Sequence, residues 1–188
     1  RSGRLHQIMR LQIRLLILLI TLILTVGCDQ LTKEMARDQL APGETVVLMD
    51  GAIRLHYSEN QGAFLSAGAG LGETARFAIF TVGVAVILIA LSFYLLTARH
   101  LSVWPAVSMA LVVGGGLGNL VDRVMREGAV VDFLNVGIGP VRTGIFNMAD
   151  VFIVAGVSFL LLWSLLARDE QPANDTPDQL PENQPDEP

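Results

Sequence analysis

Two aspartates, Asp132 and Asp150, bracket a segment made mostly of glycine and apolar residues. No single helix can bring them together, because four helix-breaking residues lie between them: Gly137, Gly139, Pro140 and Gly144. If the chain folds back there, the two carboxylates can face each other. Two carboxylates in contact cannot both ionise cheaply, so one pKa rises and the pair shares a proton. Such a pair supplies a base for a bound water and an acid for a scissile carbonyl.

Each aspartate also has an ordinary structural reading. Asp150 alone fits a charge at the N-terminus of a helix, and Asp132 alone fits a turn. Asp122 and Arg123 can likewise form an ion pair at a membrane interface. Structural caps do not require several further polar groups at one depth, however, and the sequence predicts them there: Asn60, Asn119, Asp122, Arg123 and Asn147.

The elements that must position these residues are membrane spans. The chain has 188 residues, of which 52% are hydrophobic and 16% charged, which is too apolar for an ordinary soluble domain. A helix needs about 20 residues to cross a bilayer. Four apolar stretches approach or exceed this length, namely residues 11–27, 77–98, 101–121 and 148–167. Backbone groups in lipid must be bonded within their own segment, so we predict a mainly α membrane protein with four transmembrane helices.

The arginines predict the orientation of these helices. Four precede or begin the first helix and one lies in the turn between the second and third: Arg1, Arg4, Arg10, Arg14 and Arg99. Basic residues favour the cytoplasmic side, so both termini are expected there, with loops at 28–76 and 122–147 outside. Three arginines of the second outer segment count against this orientation: Arg123, Arg126 and Arg142.

The two ends of the chain differ in charge. Residues 1–10 form a basic start of the chain. Met9 is a plausible initiator within it, so the sequence leaves open whether residues 1–8 are native. Residues 168–188 hold seven acids and one arginine among prolines and amides, which predicts a disordered acidic cytoplasmic tail. Residues 11–167 remain as the membrane domain.

Cys28 offers a second interpretation of the N-terminal region. A basic region, an apolar run and a small residue precede it, as in a secretory signal whose cysteine becomes lipidated. Thr25 and Val26 match such a signal poorly and three further spans follow, so we favour an uncleaved first helix. A single cysteine cannot form an internal disulfide.

The first outer segment combines a helical and a β pattern. Asp29, Lys33 and Arg37 follow one another at i, i+4 spacing, so this stretch either extends the first helix or lies on the membrane surface. Two β-prone runs, 46–49 and 53–57, then meet at an Asp-Gly pair, which predicts a hairpin. We expect a small extracytoplasmic β-platform between the first and second helices. In the third helix, Gly114 and Gly118 predict close helix packing.

Five sequence blocks resemble the lipoprotein signal peptidases, also called signal peptidase II. They occur in the order of that family and are highly specific together: "DQLTK" at 29–33, "NQGAFLS" at 60–66, "GGGLGNLVDRV" at 114–124, "VVDFLNV" at 130–136 and "FNMAD" at 146–150. Two features depart from the family pattern. Cys28 stands where an apolar residue is usual, and the acidic tail is long.

The resemblance implies an intramembrane aspartyl endopeptidase of the bacterial inner membrane, with four transmembrane helices, a β-cradle and an active site near the outer face. Its substrates are prolipoproteins bearing diacylglyceryl-cysteine, which it cuts just before that cysteine, in contact with membrane lipid and without a cofactor. The catalytic pair falls on Asp132 and Asp150. Residues that bind substrate or order the site fall on Asp29, Lys33, Asn60, Gly62, Asn119, Asp122, Arg123 and Asn147.

Other function classes fit less well. A proton-coupled transporter would place carboxylates nearer mid-helix and show an inverted repeat, and the sequence has neither. A non-catalytic scaffold or lipoprotein stays an alternative that lipidation of Cys28 would favour. No metal site is predicted, because His6, His56 and His100 are scattered and there is one cysteine. Nucleic acid binding is not predicted, since the arginines are spread over both sides of the membrane.

Overall fold

Four long helices dominate the computed structural model, which describes residues 2–41, 43–62, 70–98 and 101–168. They are α1 (Ser2–Gln39), α2 (Glu73–Thr97), α3 (Val103–Met125) and α4 (Met148–Arg168). Each contains a stretch long and apolar enough to cross a membrane. The predicted four-helix, mainly α architecture is confirmed, and the chain is a multi-pass membrane protein. The predicted tail at 169–188, Arg99 and His100 lie outside the described residues.

Helix α3 is the centre of the bundle. Its apolar window has a mean hydropathy of 1.4 and is 56% buried, whereas the windows of the other three helices are 11–17% buried at hydropathies of 2.2–2.6. Three successive glycines face three different helices, as the turn of about 100° per residue dictates. A Cβ on Gly114 would clash with α1, on Gly115 with α4, and on Gly116 with Leu88 of α2 at 2.6 Å. Small residues therefore let three helices approach α3 at one level.

The predicted packing role of Gly114 and Gly118 is confirmed. Both face α1, where a Cβ on Gly114 would meet Thr25 and one on Gly118 would lie 2.6 Å from an Asp29 carboxylate oxygen. Thr25 and Asp29 are four residues apart, as are Gly114 and Gly118. Two residues one turn apart on α1 therefore contact two residues one turn apart on α3.

Helix α1 extends twelve residues beyond the predicted span, to Gln39 instead of Gly27. One buried stripe explains this length, with members at helical spacing throughout: Arg14, Leu18, Thr25, Asp29, Lys33, Ala36 and Leu40. Several members are polar, while apolar residues such as Ile23 and Leu24 are exposed at the surface that faces lipid. The segment at 28–39 is therefore helix and not loop, because its polar side chains find partners inside the protein.

An antiparallel four-stranded sheet, in the order β1-β2-β3-β4, lies at one end of the bundle. Its strands are β1 (Val46–Leu48), β2 (Ile53–Asn60), β3 (Val130–Ile138) and β4 (Val141–Arg142). The predicted hairpin is confirmed, with Val47 opposite Arg54 and a 3-10 turn at Met49–Gly51. Gly51 adopts a φ of 90°, which suits glycine at the turn.

The sheet is larger than predicted, because β3 and β4 belong to the segment 122–147 that we expected to be loop. Residues 130–133 are all buried, so the alternation typical of a half-exposed strand is missing there. Gly139 and Pro140, which suggested a loop, form the hairpin turn that joins β3 to β4. Strand β3 pairs with β2, placing Asp132 opposite Ser58 and Val130 opposite Asn60.

The sheet packs onto the C-terminal part of α1 through an apolar cluster. Ala36 of α1 and Leu40 just after it meet Phe133 of β3, and Leu55, Tyr57 and Met148 pack around them. This contact defines the sheet end of the bundle, where α2 and α4 begin and α3 ends. At the opposite end, the buried guanidinium of Arg14 donates to the carbonyls of Ala98 and Leu101 and ties α1 to the α2–α3 connection.

Candidate active site

The predicted carboxylate pair lies in one cavity at the sheet end. Asp132 projects from β3 and Asp150 from the first turn of α4, and both line a cavity of about 310 Å³. The rest of the lining combines polar residues, Asn60, Asn119 and Arg123, with apolar residues that include Phe80, Val84, Ile153 and Val154. The reversal of chain direction that the sequence predicted between Asp132 and Asp150 is therefore made by the β3–β4 hairpin.

Asp132 is buried, at 4% exposed, and both of its carboxylate oxygens are hydrogen-bonded by side-chain amides. The Nδ2 atom of Asn60 donates to Oδ2 at 3.0 Å, and Nδ2 of Asn147 donates to Oδ1 at 2.7 Å. Burial, together with the negative charge of Asp150, raises the pKa of Asp132 to about 6, although the two amide bonds and the Lys33 charge act in the opposite direction. Asp132 therefore holds a proton at a higher pH than an ordinary aspartate.

Asp150 is fixed by the N-terminus of α4. Its Oδ2 accepts from the backbone N–H of Asn147 at 3.3 Å, and its own N–H donates to Oδ1 of Asn147 at 3.0 Å. This reciprocal pair resembles a capping box. Asn119 donates to Oδ1 of Asp150 at 2.9 Å. The helix-terminal reading of Asp150 is therefore correct, and the same contacts aim its carboxylate into the cavity.

A buried ionic cluster lies directly behind this cavity. Lys33 Nζ lies 2.8 Å from Asp29 and 3.0 Å from Asp122, and these three side chains are at most 1% exposed. Lys33 also donates to Oδ1 of Asn119 at 3.0 Å. The i, i+4 relation of Asp29 and Lys33 was visible in the sequence, whereas the approach of Asp122 depends on the packing of α3 against α1.

The two aspartates of the cluster reach the backbone beside the catalytic candidates. Asp29 Oδ1 accepts from the N–H of Ala149 at 2.9 Å, and Asp122 Oδ2 accepts from the N–H of Val131 at 3.0 Å. Sequence reasoning did not single out Gln30, although it stands in the "DQLTK" block. Its Nε2 lies 3.2 Å from Asp29, from Asp122 and from the Gly118 carbonyl.

Arg123 does not pair with Asp122, contrary to one of the two interpretations of the sequence. Adjacent helical residues point in directions about 100° apart, and the ion pairs of Asp122 among the described residues are with Lys33 and Arg126. Arg123 instead donates to the Gly62 carbonyl at 3.1 Å, while the Gly62 N–H donates to Oδ1 of Asn60 at 2.9 Å.

All ten predicted site residues therefore belong to one connected network of hydrogen bonds and ion pairs. It runs from Asp29 through Lys33 to Asp122 and Asn119, from Asn119 to Asp150 and Asn147, and from Asn147 through Asp132 and Asn60 to Gly62 and Arg123. Helices α1, α3 and α4 and strands β2 and β3 all contribute. The cavity holds two carboxylates, the chain has four membrane-spanning helices, and five sequence blocks match one family. These observations agree with the family that the blocks resemble.

The model of the family described as signal peptidase (SPase) II matches residues 20–166. This chain belongs to the signal peptidase II family. It is 41% identical over 148 residues to the lipoprotein signal peptidase of Moorella thermoacetica, covering 79% of this chain and 91% of that protein. It is 34% identical to the lipoprotein signal peptidase of Clostridioides difficile, covering 78% and 93%.

Two solved structures of bacterial membrane enzymes also resemble this signal peptidase II family member. One superposes with a TM-score of 0.71 at 25% identity, covering 88% of this chain and 95% of that one. The other gives 0.66 at 26% identity, covering 82% and 93%. The resemblance inferred from the five blocks is thus confirmed, and so is the fold.

The structure also bears on metal binding and on Cys28, within the part of the chain that it describes. Among those residues, no group of three histidine, cysteine, aspartate or glutamate side chains could hold a metal ion. Cys28 is half-buried and lies inside the uninterrupted helix α1.

Proposed function

We propose that this signal peptidase II family member removes signal peptides from bacterial lipoproteins, and that Asp132 and Asp150 carry out the cleavage. The single observation that carries the catalytic assignment is the shared cavity: two carboxylates from distant parts of the chain line one space of about 310 Å³ in a membrane protein. The names of the relatives support the substrate class, since they are lipoprotein signal peptidases.

The environments of the two carboxylates favour different roles. Asp132, with its pKa raised to about 6 by burial and by the charge of Asp150, is the proposed proton donor. Asp150 stands at a helix N-terminus and accepts two hydrogen bonds, which hold its carboxylate in the cavity as the proposed base. Exclusion of water by a bound peptide would raise the pKa of Asp132 further.

The reaction then follows the chemistry of an aspartate pair. Asp150 takes a proton from a water whose oxygen attacks the scissile carbonyl carbon, while protonated Asp132 donates to the carbonyl oxygen. The resulting tetrahedral intermediate collapses with cleavage of the C–N bond, and the leaving amine takes a proton from the pair. Arg123 lines the same cavity and adds positive charge beside it.

The apolar residues that line the cavity suit a substrate held in lipid. They include Phe80 and Val84 of α2 and Ile153 and Val154 of α4. We propose that a prolipoprotein enters between these helices with its diacylglyceryl-cysteine in the bilayer, so that the peptide bond before that cysteine reaches the carboxylates. Specificity for a lipidated cysteine follows, because only such a residue is retained at this depth.

We further propose that the sheet end faces the outside of the inner membrane and that both termini are cytoplasmic. The basic start of α1 supports this orientation, as does the position of Arg14 at the opposite end from the site.

A gel-shift assay tests the function. Purified protein in detergent is incubated with a diacylglyceryl-modified prolipoprotein, beside Asp132→Asn, Asp150→Asn and the matched control Asp38→Asn, which changes an aspartate that is 69% exposed on α1. We expect cleavage before the lipidated cysteine by the wild type and the control, and none by the two site variants. If the wild type does not cleave the sample while another member of the family does, the proposal is disproved.

A further inference from the structure

Lys33 is the one cation among the described residues that is both fully buried and shared by three acceptors of this network. Its Nζ reaches Asp29 Oδ2 at 2.8 Å, Asp122 Oδ2 at 3.0 Å and Asn119 Oδ1 at 3.0 Å, and its side chain is 1% exposed. An ammonium has three protons and no acceptor, so these contacts use its entire hydrogen-bonding capacity. Helix α1 carries neither catalytic candidate, yet it supplies this group.

Each of the three acceptors leads to a catalytic candidate or to its chain neighbour. Asp29 accepts from the N–H of Ala149, which precedes Asp150, and Asp122 accepts from the N–H of Val131, which precedes Asp132. Asn119 donates directly to Asp150. One buried charge therefore connects the start of α4, the start of β3 and the side chain of Asp150.

The contact with Asn119 also decides which way its amide points. The Oδ1 atom accepts from Lys33 and from Asn147, both at 3.0 Å, so the NH₂ group must face Asp150. The flipped amide would set its NH₂ against an ammonium and another NH₂, and its oxygen against the carboxylate of Asp150. Because an ammonium can only donate, Lys33 removes this ambiguity.

We propose that Lys33 is the positioning residue of the aspartate pair: it fixes β3 and α4 relative to each other and directs the Asn119 NH₂ group to Asp150. This inference rests on the proposed function, in which Asp132 and Asp150 are the catalytic pair. It goes beyond charge neutralisation, because the ammonium specifies the direction of a hydrogen bond at a catalytic oxygen.

Charge balance alone is the competing role. Removing Lys33 leaves Asp29 and Asp122 buried without their cation, and breaking a buried pair in this way is strongly destabilising. The single variant Lys33→Met can therefore lose activity by unfolding. The double variant Asp29→Asn with Lys33→Met removes one charge of each sign. It keeps an amide oxygen at position 29 that can accept from Ala149, and it leaves Asp122 its contact with Arg126.

The pH dependence of the rate gives a second readout of the Lys33 charge, beside the kcat of the folded double variant. The charged groups facing Asp132 are Asp150 on α4, Arg123 on α3 and Lys33 on α1, and the field of Lys33 lowers the pKa of Asp132. Without that field the pKa of Asp132 rises. Asp132 acts in its protonated form, so the alkaline limb of the rate profile moves to higher pH.

The test measures kcat, KM, thermal unfolding and the pH profile for Lys33→Met, for the double variant and for Arg37→Met, an exposed cation one turn further along α1. We expect both Lys33 variants to lose about 100-fold in kcat, as for a misplaced catalytic group, with KM changed less than about threefold. The alkaline limb should move upward, and the double variant should unfold near the wild-type temperature. Arg37→Met should match the wild type.

A folded double variant with wild-type kcat and pH profile would overturn the proposal and leave Lys33 as a neutralising charge. Failure of the double variant to fold would also overturn it, since charge balance would then not explain the stability and the role would be structural. Asp132→Asn, assayed in parallel, distinguishes a failure of the proposed function, because that variant would then still cleave.

Discussion

The two ends of the helix bundle are built from the same helices by opposite means. Near the Arg14 end, Leu18 of α1, Leu95 of α2 and Ala110 and Val113 of α3 form an apolar cluster. At the sheet end, several buried positions of α1 and α3 are taken by charged and amide side chains such as Lys33 and Asn119. The apolar cluster works by close packing, which tolerates small shifts. The polar network works by directed hydrogen bonds, which do not.

The difference shows how a membrane protein can separate stability from chemistry. Truncation of an apolar side chain leaves a cavity, which lowers the free energy of unfolding and leaves the catalytic candidates untouched. A polar side chain leaves a partner unpaired, and here the partner is a catalytic candidate or the backbone next to one. Substitutions at the two ends should therefore change different measurements.

The largest effect on folding is expected from Leu95→Ala. Leu95 is 0% exposed within the apolar cluster, so its truncation should lower the free energy of unfolding by about 2–5 kcal/mol. The kcat of the folded fraction and its pH profile should stay as in the wild type. Thermal or denaturant unfolding in detergent, followed by kinetics below the transition, measures both. Leu162→Ala on α4 is the control, because Leu162 is 53% exposed and should change little.

The next effect concerns the pH dependence of stability at the sheet end. Folding raises the pKa of Asp132 from 3.8 to about 6, so the folded state holds the proton more tightly than the unfolded chain. The stabilisation is full below pH 3.8 and is lost as the pH rises through about 6. Over that window the shift corresponds to about 3 kcal/mol. Asp132→Asn should remove this pH dependence of the free energy of unfolding. An unchanged pH dependence would contradict the raised pKa of Asp132.

Loss of one amide at the sheet end should act mainly on catalysis. Asn147→Ala removes the donors to Asp132 and Asn119 and the acceptor for the Asp150 N–H. We expect kcat to fall about 100-fold, because both carboxylates lose their alignment. Asn135→Ala is the matched control, since Asn135 bonds to Arg142 and Thr143 in the β3–β4 hairpin. Equal kcat values for Asn147→Ala and Asn135→Ala would show that the polar network affects catalysis no more than the β3–β4 hairpin does.

The smallest effect is expected from the exposed ion pair of α1. Glu34 and Arg37 pair on the surface of the helix that buries Lys33, with side chains 48% and 44% exposed. Exposed pairs of this kind contribute about 0–1 kcal/mol. Glu34→Gln should therefore shift the unfolding temperature by no more than a few degrees and leave kcat unchanged. A large loss of activity would show that the network extends to the helix surface.

Local features of the sequence predicted the spans and the hairpin well. The predicted fourth span at 148–167 corresponds to Met148–Arg168, and the second at 77–98 to Glu73–Thr97, because hydropathy is a sum over neighbouring residues. The Asp-Gly pair at 50–51 predicted the turn between β1 and β2, because turn preference also depends on neighbouring residues. The motif blocks located the members of the site, although not their contacts.

Features that depend on distant partners were missed. Strand β3 was taken for loop because Val130 to Phe133 are all buried and do not alternate, and because its pairing partner β2 lies 70 residues earlier in the numbering, as with Asn60 and Val130. Whether residues 28–39 extend α1 was left open by the sequence, because Asp29 and Lys33 look too polar for a buried helix until Asp122 and Asn119 are beside them.

By itself, the sequence determined which segments enter the membrane, where the first hairpin turns and, through its motif blocks, the family and the residues of the candidate site. The tertiary structure alone decided that Asp132 and Asp150 share a cavity, that Gln30 joins their network and that the Asn119 amide points its NH₂ at Asp150. The physical reason is that hydropathy and turn preference act between neighbours in the chain. The state of a buried carboxylate and the direction of an amide are set by charges and donors that only folding brings within about 3 Å.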